Sequence, residues 1–371
     1  MANDKTLRAV HVGLSTGHAG SFDDSRPRLI HDLRRLEGVE VVAYCETYDS
    51  SFLDEAKKYD PGAGLYSSLD DMLAKEDFDL AVVVLHPSDV AAALLKLADA
   101  GKHFMVDKQF ALKSDELIPV TRAVQRNELT TFMLYPWRHH PAAIEIRRLI
   151  EEDVLGKPID IESRQFWGQV GGPLGKDIDA PAHRLDTEGG GVLHYIGCHH
   201  LDLMRAVMGC EVKSVQAMTG RPFGHMEEPM EDIIVLALEY ENGGFGSLHN
   251  GYTKPITVGD QGYDSAFVLR GVNGWAEWTP VGGNKLQVTS ASPQWKGAPE
   301  KTIGYELTPM DSIVSHVWYY IWIEQFIEDI RAGRPGVPNM VDGLHVLQSI
   351  DAAYESARTG TRIAVKYGVD V

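Results

Sequence analysis

The sequence predicts two domains, an α/β domain on a doubly wound parallel sheet and an α+β domain on an open, mainly antiparallel sheet. In residues 1–135, short apolar runs alternate with amphipathic stretches, as in repeated β-α-β units. From Val212 to Leu307, strand-like runs follow one another with glycine-rich turns between them, which favours antiparallel pairing. We therefore assign residues 1–135 to the first domain and residues 136–371 to the second.

The elements of the first domain follow in order from its apolar runs. The run Leu80–Leu85 is apolar throughout, as expected for a strand buried on both faces. The other strands are predicted at Leu7–Val12, Val39–Cys45, Phe104–Val106 and Phe132–Leu134, and helices at Pro27–Leu36, Ser51–Tyr59, Asp89–Ala100 and Ser114–Arg126. Open parallel sheets bind ligands at the carboxyl ends of their strands, so residues directly after these strands are the first candidates for a site.

The second domain is predicted to combine helices with a sheet. Its strands are expected at Ile233–Tyr240, Phe245–His249, Ala266–Leu269, Trp275–Thr279 and Lys285–Thr289, and its helices at Pro141–Glu152, after Gly189 up to Met208, and near Ile313–Ala332 and Asp342–Thr359. We expect the last helix to pack back on the first domain. An open sheet must cover one apolar face, which predicts a homodimer or homotetramer.

Charge and cysteine usage exclude several classes of function. With 35 basic and 53 acidic residues, the net charge of −18 argues against nucleic acid or an anionic membrane as the partner. No apolar run approaches the ~18 residues of a membrane span, and no apolar signal segment opens the chain. The three cysteines share no paired spacing, which favours a reducing, cytoplasmic compartment.

A glycine-rich segment, Gly13-Leu-Ser-Thr-Gly17-His-Ala-Gly20, follows the first strand directly. A dinucleotide fingerprint has glycines at its first, third and sixth positions, whereas Ser15 and His18 stand at the third and sixth here. This segment alone supports two interpretations equally, a dinucleotide-binding turn and an ordinary glycine-rich turn. In the first case Gly13, Ser15, Thr16 and Gly17 contact the cofactor.

Glu46 ends the second strand, where a carboxylate can accept the ribose hydroxyls of NAD and repel the 2′-phosphate of NADP. The alternative is a surface glutamate at a strand end. His86 and Pro87, which follow the buried strand, are predicted to contact the cofactor as well. The sequence thus favours NAD, with NADP less expected.

Two segments carry residues suited to moving a proton. Lys108, in Asp107-Lys108-Gln109, follows the fourth predicted strand, where an ammonium group can stabilise a developing alkoxide. Further on, Tyr195 and His199 share a helix face at i, i+4, and a neutral imidazole can accept a hydroxyl proton near pH 7. The alternatives are a solvated loop lysine and a packed core histidine. The clustered histidines lack any metal-ligand spacing, so no metal is expected; they are His139, His140, His194, His199 and His200.

In this order, the motifs resemble the Gfo/Idh/MocA family, named after glucose–fructose oxidoreductase, inositol dehydrogenase and a rhizopine-catabolism protein. The resemblance covers nearly the whole chain. The segments that carry it are the turn at Gly13, Ala100-Gly-Lys-His-Phe-Met-Val-Asp107-Lys108, Arg138-His-His-Pro141, the segment from Gly189 to Asp202, and the tail Ala352–Gly360.

The resemblance implies an enzyme that oxidises or reduces sugars or cyclitols with NAD or NADP. It places the family's Glu-Lys-Pro lysine on Lys108 and its Asp-x-x-x-His pair on Tyr195 and His199. It thereby implies that His199 accepts the proton, with Lys108 as its electrostatic partner. Gln109 stands in place of the family's proline, and Tyr195 in place of its aspartate. A phenol brings no charge to orient His199, so Asp202 or Asp186 is a candidate for that role.

The sequence therefore predicts an NAD-dependent dehydrogenase acting on a secondary alcohol of a sugar, glycoside or cyclitol. Two alternatives stay open at this stage: a redox-neutral, NAD-using glycosidase or lyase, and a non-catalytic sugar- or nucleotide-binding protein. The catalytic residues are predicted to be Lys108, His199 and Tyr195, with Asp107 and Lys108 beside the cofactor. The predicted substrate-binding residues are Lys108, Arg138, Trp167, His183, Arg184, Tyr195 and His199.

Overall fold

The chain forms two compact units in this computed structural model. The structure describes residues 6–16, 19, 22, 29–108, 110–168, 190–222, 230–254, 263–280, 284–305 and 317–370. The first unit is Met1–Leu134, Ser315–His345 and Gly368–Val371, and the second is Tyr135–Val314 and Val346–Tyr367. Residues 315–345 thus group with the first unit, whereas the sequence predicts them in the second domain.

The first unit carries a parallel sheet, as predicted. Among the described residues its six strands lie in the order β3-β2-β1-β4-β5-β6, and neighbouring strands pair in parallel. The strands are β1 Leu7–Val12, β2 Val39–Cys45, β3 Gly64–Tyr66, β4 Leu80–Val83, β5 His103–Val106 and β6 Thr131–Met133. The helices are α1 Leu29–Arg35, α2 Ser51–Tyr59, α3 Leu69–Lys75, α4 Pro87–Asp99, α5 Ser114–Arg126 and α8 Val317–Ala332.

Helix α8 joins the first unit because its apolar side chains complete that unit's core. Trp322, Ile323 and Phe326 are buried in one cluster with residues of β1, β4 and α1. The ring of Phe326 lies 6.3 Å from that of Phe132, between centroids. Burial of large aromatic side chains is the main stabilising term in such a core, so α8 is part of the first fold despite its late position in the chain.

The second unit is built on a mixed sheet. Its nine described strands lie in the order β14-β13-β12-β11-β7-β10-β9-β8-β15. They are β7 Pro158–Gly168, β8 Val212–Gly220, β9 Ile233–Tyr240, β10 Phe245–Lys254, β11 Tyr263–Gly271, β12 Gly274–Trp278, β13 Lys285–Ser290, β14 Glu300–Gly304 and β15 Ile363–Ala364. The helices are α6 Pro141–Glu151 and α7 Cys198–Met208, and α9 Met340–Thr359 has its first six residues in the first unit.

The pairings in this sheet are antiparallel except that β7 and β10 run parallel. The mainly antiparallel sheet is therefore confirmed, but its central strand β7 was not predicted. The buried face of β7 carries Ser163 and Gln165 beside Ile161, so the apolar alternation that marks a strand is interrupted by polar residues. Among the described helices, none is long and apolar enough to cross a membrane.

Candidate functional site

The turn after β1 is packed tightly against the neighbouring strands. Gly13 has φ +88°, and a Cβ atom there would lie 2.0 Å from the carbonyl oxygen of Val84. The Gly13 amide donates to the carbonyl of Cys45 at 2.8 Å. Only glycine fits this backbone, which brings the turn onto the ends of β2 and β4. The predicted contact Gly17 lies outside the described residues, while Ser15 and Thr16 follow within the turn.

Glu46 is buried at the end of β2, with 1% of its surface exposed. Its Oε2 atom accepts the amides of Leu14 at 2.6 Å and Ser15 at 2.8 Å. Its Oε1 atom accepts the amides of Tyr48 at 2.6 Å and Asp49 at 3.2 Å. The sequence predicts a carboxylate that accepts ribose hydroxyls, whereas the structure shows a carboxylate that joins two backbone turns.

The residues after β4 lie at the same edge of the sheet, on the opposite side of β1 from Glu46. Pro87 begins helix α4, and the Nδ1 atom of His86 lies 3.1 Å from Ser88 Oγ. The Tyr48 hydroxyl donates to the Asp89 carboxylate, and the Tyr48 ring meets that of His86 edge-on at 6.4 Å. These contacts connect the ends of β2 and β4, which flank β1 in the sheet.

Lys108 lies one position further along the same edge. The amide of Asp107 donates to the Val83 carbonyl at 3.0 Å, so β5 continues in register up to this residue. Asp107 is buried, and Lys108, the next residue, is half-buried. The lysine is therefore at the carboxyl end of β5, as predicted. Gln109 lies outside the described residues.

In the second unit, Tyr195 lies in a π-helical turn, Leu193–Gly197, that runs into α7. The sequence predicts an ordinary helical start in this segment. The hydrogen bonds of a π turn span one residue more than those of an α-helix, and the shared face of Tyr195 and His199 stays a prediction. Such turns are often found at functional sites, and here the turn carries a buried tyrosine.

His199 is half-buried among aromatic rings of its own unit. The Trp137 ring stacks on the imidazole with centroids 5.7 Å apart and planes at 22°. The Tyr135 ring meets it edge-on at 5.9 Å. An indole face can stabilise a positive imidazolium through a cation–π interaction, which suits a residue that gains a proton.

Arg138 and Asp202 form a buried ion pair. Arg138 Nε donates to Asp202 Oδ2 at 2.7 Å, and the guanidinium Nη2 donates to Oδ1. Their side chains are 8% and 1% exposed. The sequence predicts that Arg138 binds the substrate, and it offers Asp202 as an orienting carboxylate for His199. The structure instead shows the two bound to each other, and Arg138 as a substrate ligand stays a prediction.

His200 is a packed core histidine, unlike its neighbour. Its Nε2 atom donates to Gln165 Oε1 at 3.0 Å, and its Nδ1 atom accepts the Ser163 hydroxyl at 2.5 Å. Burial lowers the pKa of His200 to about 3, so the ring is neutral at physiological pH. It fastens α7 to β7 from inside the unit.

The glycine tract before the π turn is explained by a buried carboxylate that the sequence analysis missed. A Cβ atom at Gly191 would lie 1.9 Å from Glu231 Oε2. Glu231 Oε1 accepts the Leu193 amide and the Tyr354 hydroxyl, each at 2.9 Å. Burial raises the pKa of Glu231 to about 7. Its partners lie 38 and 123 positions away in the chain, so no local motif marks it.

The remaining predicted residues are not placed. His183, Arg184 and Asp186 lie outside the described residues, and only the backbone of Trp167 is described, within β7. Within the described ranges, no group of three or more histidine, cysteine, aspartate or glutamate side chains could hold a metal ion.

Comparison with known families decides the identity of the fold. Residues 8–135 match the model of an oxidoreductase family with an NAD-binding Rossmann fold, and residues 143–277 match the GFO/IDH/MocA C-terminal domain. The chain belongs to the Gfo/Idh/MocA family. It is therefore an oxidoreductase, and both the family and the fold class predicted from its motifs are confirmed.

Similar proteins in this family come from diverse microbes. The chain is 22% identical over 293 residues to scyllo-inositol 2-dehydrogenase (NAD(+)) of Bacillus subtilis, covering 78% of each chain. It is 22% identical over 299 residues to D-xylose 1-dehydrogenase (NADP(+)) 2 of Haloferax volcanii, covering 80% of this chain and 84% of the relative. An oxidoreductase from Agrobacterium radiobacter, solved with NAD+, L-tartaric acid and magnesium, superimposes with a TM-score of 0.80 at 16% identity, covering 97% and 99% of the two chains.

Proposed function

We propose that this Gfo/Idh/MocA oxidoreductase is an NAD-dependent dehydrogenase acting on a secondary alcohol of a sugar, glycoside or cyclitol. The observation that carries the proposal is Lys108 at the carboxyl end of β5, the edge where open α/β sheets bind their ligands. Similarity to dehydrogenases of an inositol and of xylose supports the substrate class.

The residues at this edge fit a dinucleotide. The glycine turn at Gly13 leaves no room for a side chain, and helix α4 begins at Pro87 beside it. A bound nicotinamide ring would supply the carbon that takes up or gives back hydride. NAD is favoured over NADP because the five residues after β2, Glu46 to Ser50, include no lysine or arginine to pair with a 2′-phosphate.

The protein's own part in the reaction is to hold the reacting hydroxyl and move its proton. Lys108 donates a hydrogen bond to the hydroxyl oxygen and stabilises the alkoxide. His199 accepts the proton, and the Trp137 face offsets the resulting positive charge. Tyr195, buried in the π turn, takes the place of the family's aspartate and contributes orientation without charge.

The test is NADH formation, followed by absorbance, with NAD⁺ or NADP⁺ and a panel of sugars, inositols and glycosides. Lys108→Ala is expected to lower kcat by about 100- to 1,000-fold, and His199→Asn by about 100- to 10,000-fold. Lys75→Ala, a lysine that is 61% exposed, is the matched control and should behave as wild type. Undiminished turnover in Lys108→Ala would refute the proposed role of Lys108.

Two other outcomes select a different function. Consumption of a glycoside with bound NAD but no net NADH would identify a redox-neutral glycosidase or lyase. Binding of a sugar or nucleotide with no turnover on the panel would identify a binding protein.

We also propose that the protein forms a homodimer or homotetramer through its open sheet. Met218 and Phe245, on strands β8 and β10, are 73% and 60% exposed, and covering them would remove apolar surface from water. Light scattering that finds a monodisperse monomer would refute this.

A further inference from the structure

The carboxylate of Glu46 has no remaining capacity for a ligand. A carboxylate offers about four acceptor positions on its two oxygens. Four backbone amides occupy them, two on each oxygen, at 2.6 to 3.2 Å. To accept a ribose hydroxyl, the buried carboxylate of Glu46 would have to release one of these amides, and losing a hydrogen bond to a charged group is costly.

The four donors belong to the two turns that a dinucleotide must approach. Leu14 and Ser15 follow Gly13 in the turn after β1, and Tyr48 and Asp49 lie in the turn after β2. Two fingerprint glycines are replaced in the first turn, by Ser15 and His18. By accepting the amides of Leu14 and Ser15, the Glu46 side chain fixes the backbone path of this turn.

We propose that Glu46 is a positioning residue for the dinucleotide-binding turn and makes no contact with the adenosine ribose. This inference rests on the proposed use of NAD. Glu46 holds the amides of the first turn in place, and the discrimination against NADP comes instead from the lack of a cation after β2.

The experiment combines two substitutions with three ligands. Glu46→Gln keeps the size of the side chain but removes its charge and places donors where acceptors were needed. Glu40→Gln makes the same charge change at an exposed position of the same strand and serves as the control. Calorimetry then gives Kd for NAD⁺, for an NAD⁺ analogue lacking the adenosine 2′-hydroxyl, and for NADP⁺. It is done at a temperature where circular dichroism shows every variant folded.

If Glu46 positions the turn, Glu46→Gln weakens all three ligands by the same factor, about 10-fold or more. The factor by which Kd rises in Glu46→Gln then multiplies the factor by which Kd rises when the 2′-hydroxyl is removed. The ratio of Kd for the analogue to Kd for NAD⁺ is therefore the same in the variant as in wild type. Glu40→Gln leaves every Kd unchanged.

Other results would overturn the inference. If Glu46→Gln weakens NAD⁺ but not the analogue, or binds NADP⁺ at least 10-fold better relative to NAD⁺, Glu46 contacts the ribose. If neither Kd nor Tm changes, Glu46 does not hold the turn. Should the wild-type protein bind no dinucleotide, the proposed function fails, and the fall in Tm of Glu46→Gln relative to Glu40→Gln still tests the positioning role.

Discussion

Two glycine turns in this protein, one in each unit, are each closed by a buried glutamate. In the first unit, Glu46 accepts four backbone amides around the turn at Gly13. In the second, Glu231 accepts one amide and one hydroxyl beside Gly191, and burial raises its pKa to about 7. The four amides satisfy the Glu46 carboxylate within the two turns that it joins. Glu231 has fewer donors, so the stability of the turn at Gly191 depends on whether its carboxyl group is protonated.

The largest expected effect is that of Gly13→Ala. The new Cβ would meet the backbone oxygen of Val84 at 2.0 Å, which cannot move without disturbing β4, and φ is +88°. We expect a loss of more than about 4 kcal/mol in the free energy of unfolding, measured in urea. Gly101→Ala, also at positive φ but with open space around it, is the control and should cost only ~1 kcal/mol. Equal losses would show that steric contact with β4 is unimportant.

Gly191→Ala should cost less, about 2–3 kcal/mol, because its Cβ would meet a side chain that can move. The cause is tested in a double-mutant cycle with Glu231→Ala, which removes the obstructing carboxylate. The double variant should be more stable than the sum of the single losses predicts, by at least ~1 kcal/mol. Strict additivity would rule out the clash with Glu231.

The protonation of Glu231 should appear as a pH dependence of stability. Its pKa is raised from 4.5 to about 7, so the folded protein binds more protons than the unfolded chain in that window. Stability therefore falls as pH rises from 4.5 to 7, by roughly 3 kcal/mol from this group. When Tm is measured at a series of pH values, the part of the pH dependence that comes from Glu231 should be absent in Glu231→Gln. An unchanged slope would contradict the raised pKa.

The smallest expected effect is that of Tyr354→Phe, which removes the hydroxyl donor to Glu231. Its hydroxyl also lies 3.3 Å from His194 Nδ1, and the two rings stack at 5.2 Å. We expect a loss of about 1–2 kcal/mol, read from urea unfolding. The loss should be greater at pH 8 than at pH 5, because the hydroxyl stabilises the ionised carboxylate. A loss in the free energy of unfolding that does not change with pH would show that the hydroxyl contributes through packing alone.

Local patterns predicted much of the fold and only part of the site. Strands β1 and β2 have the predicted bounds because their apolar runs are continuous and end at turn residues. Strand β3, of three half-buried residues, offers no such run. The position of Lys108 followed from topology, since the residue after a parallel strand must lie at the ligand-binding edge.

Hydrogen bonds between distant residues could not be predicted from sequence. The pairing of Arg138 with Asp202 joins residues 64 positions apart, and each had a plausible alternative partner. The four amides that donate to the Glu46 carboxylate are placed by the backbone path of two turns, which residue types alone do not determine. The π turn could not be predicted either, since helix propensity does not distinguish it from an α-helix.

The late position of α8 has a consequence for synthesis of the chain. The ribosome completes β1 through β6 long before it reaches Trp322 and Phe326, which belong to the same core. A nascent chain that ends before α8 therefore exposes an apolar sheet face to water while the residues of the second unit are being translated. We expect a chain truncated after residue 134 to fold incompletely, because it lacks the part of this core that α8 supplies.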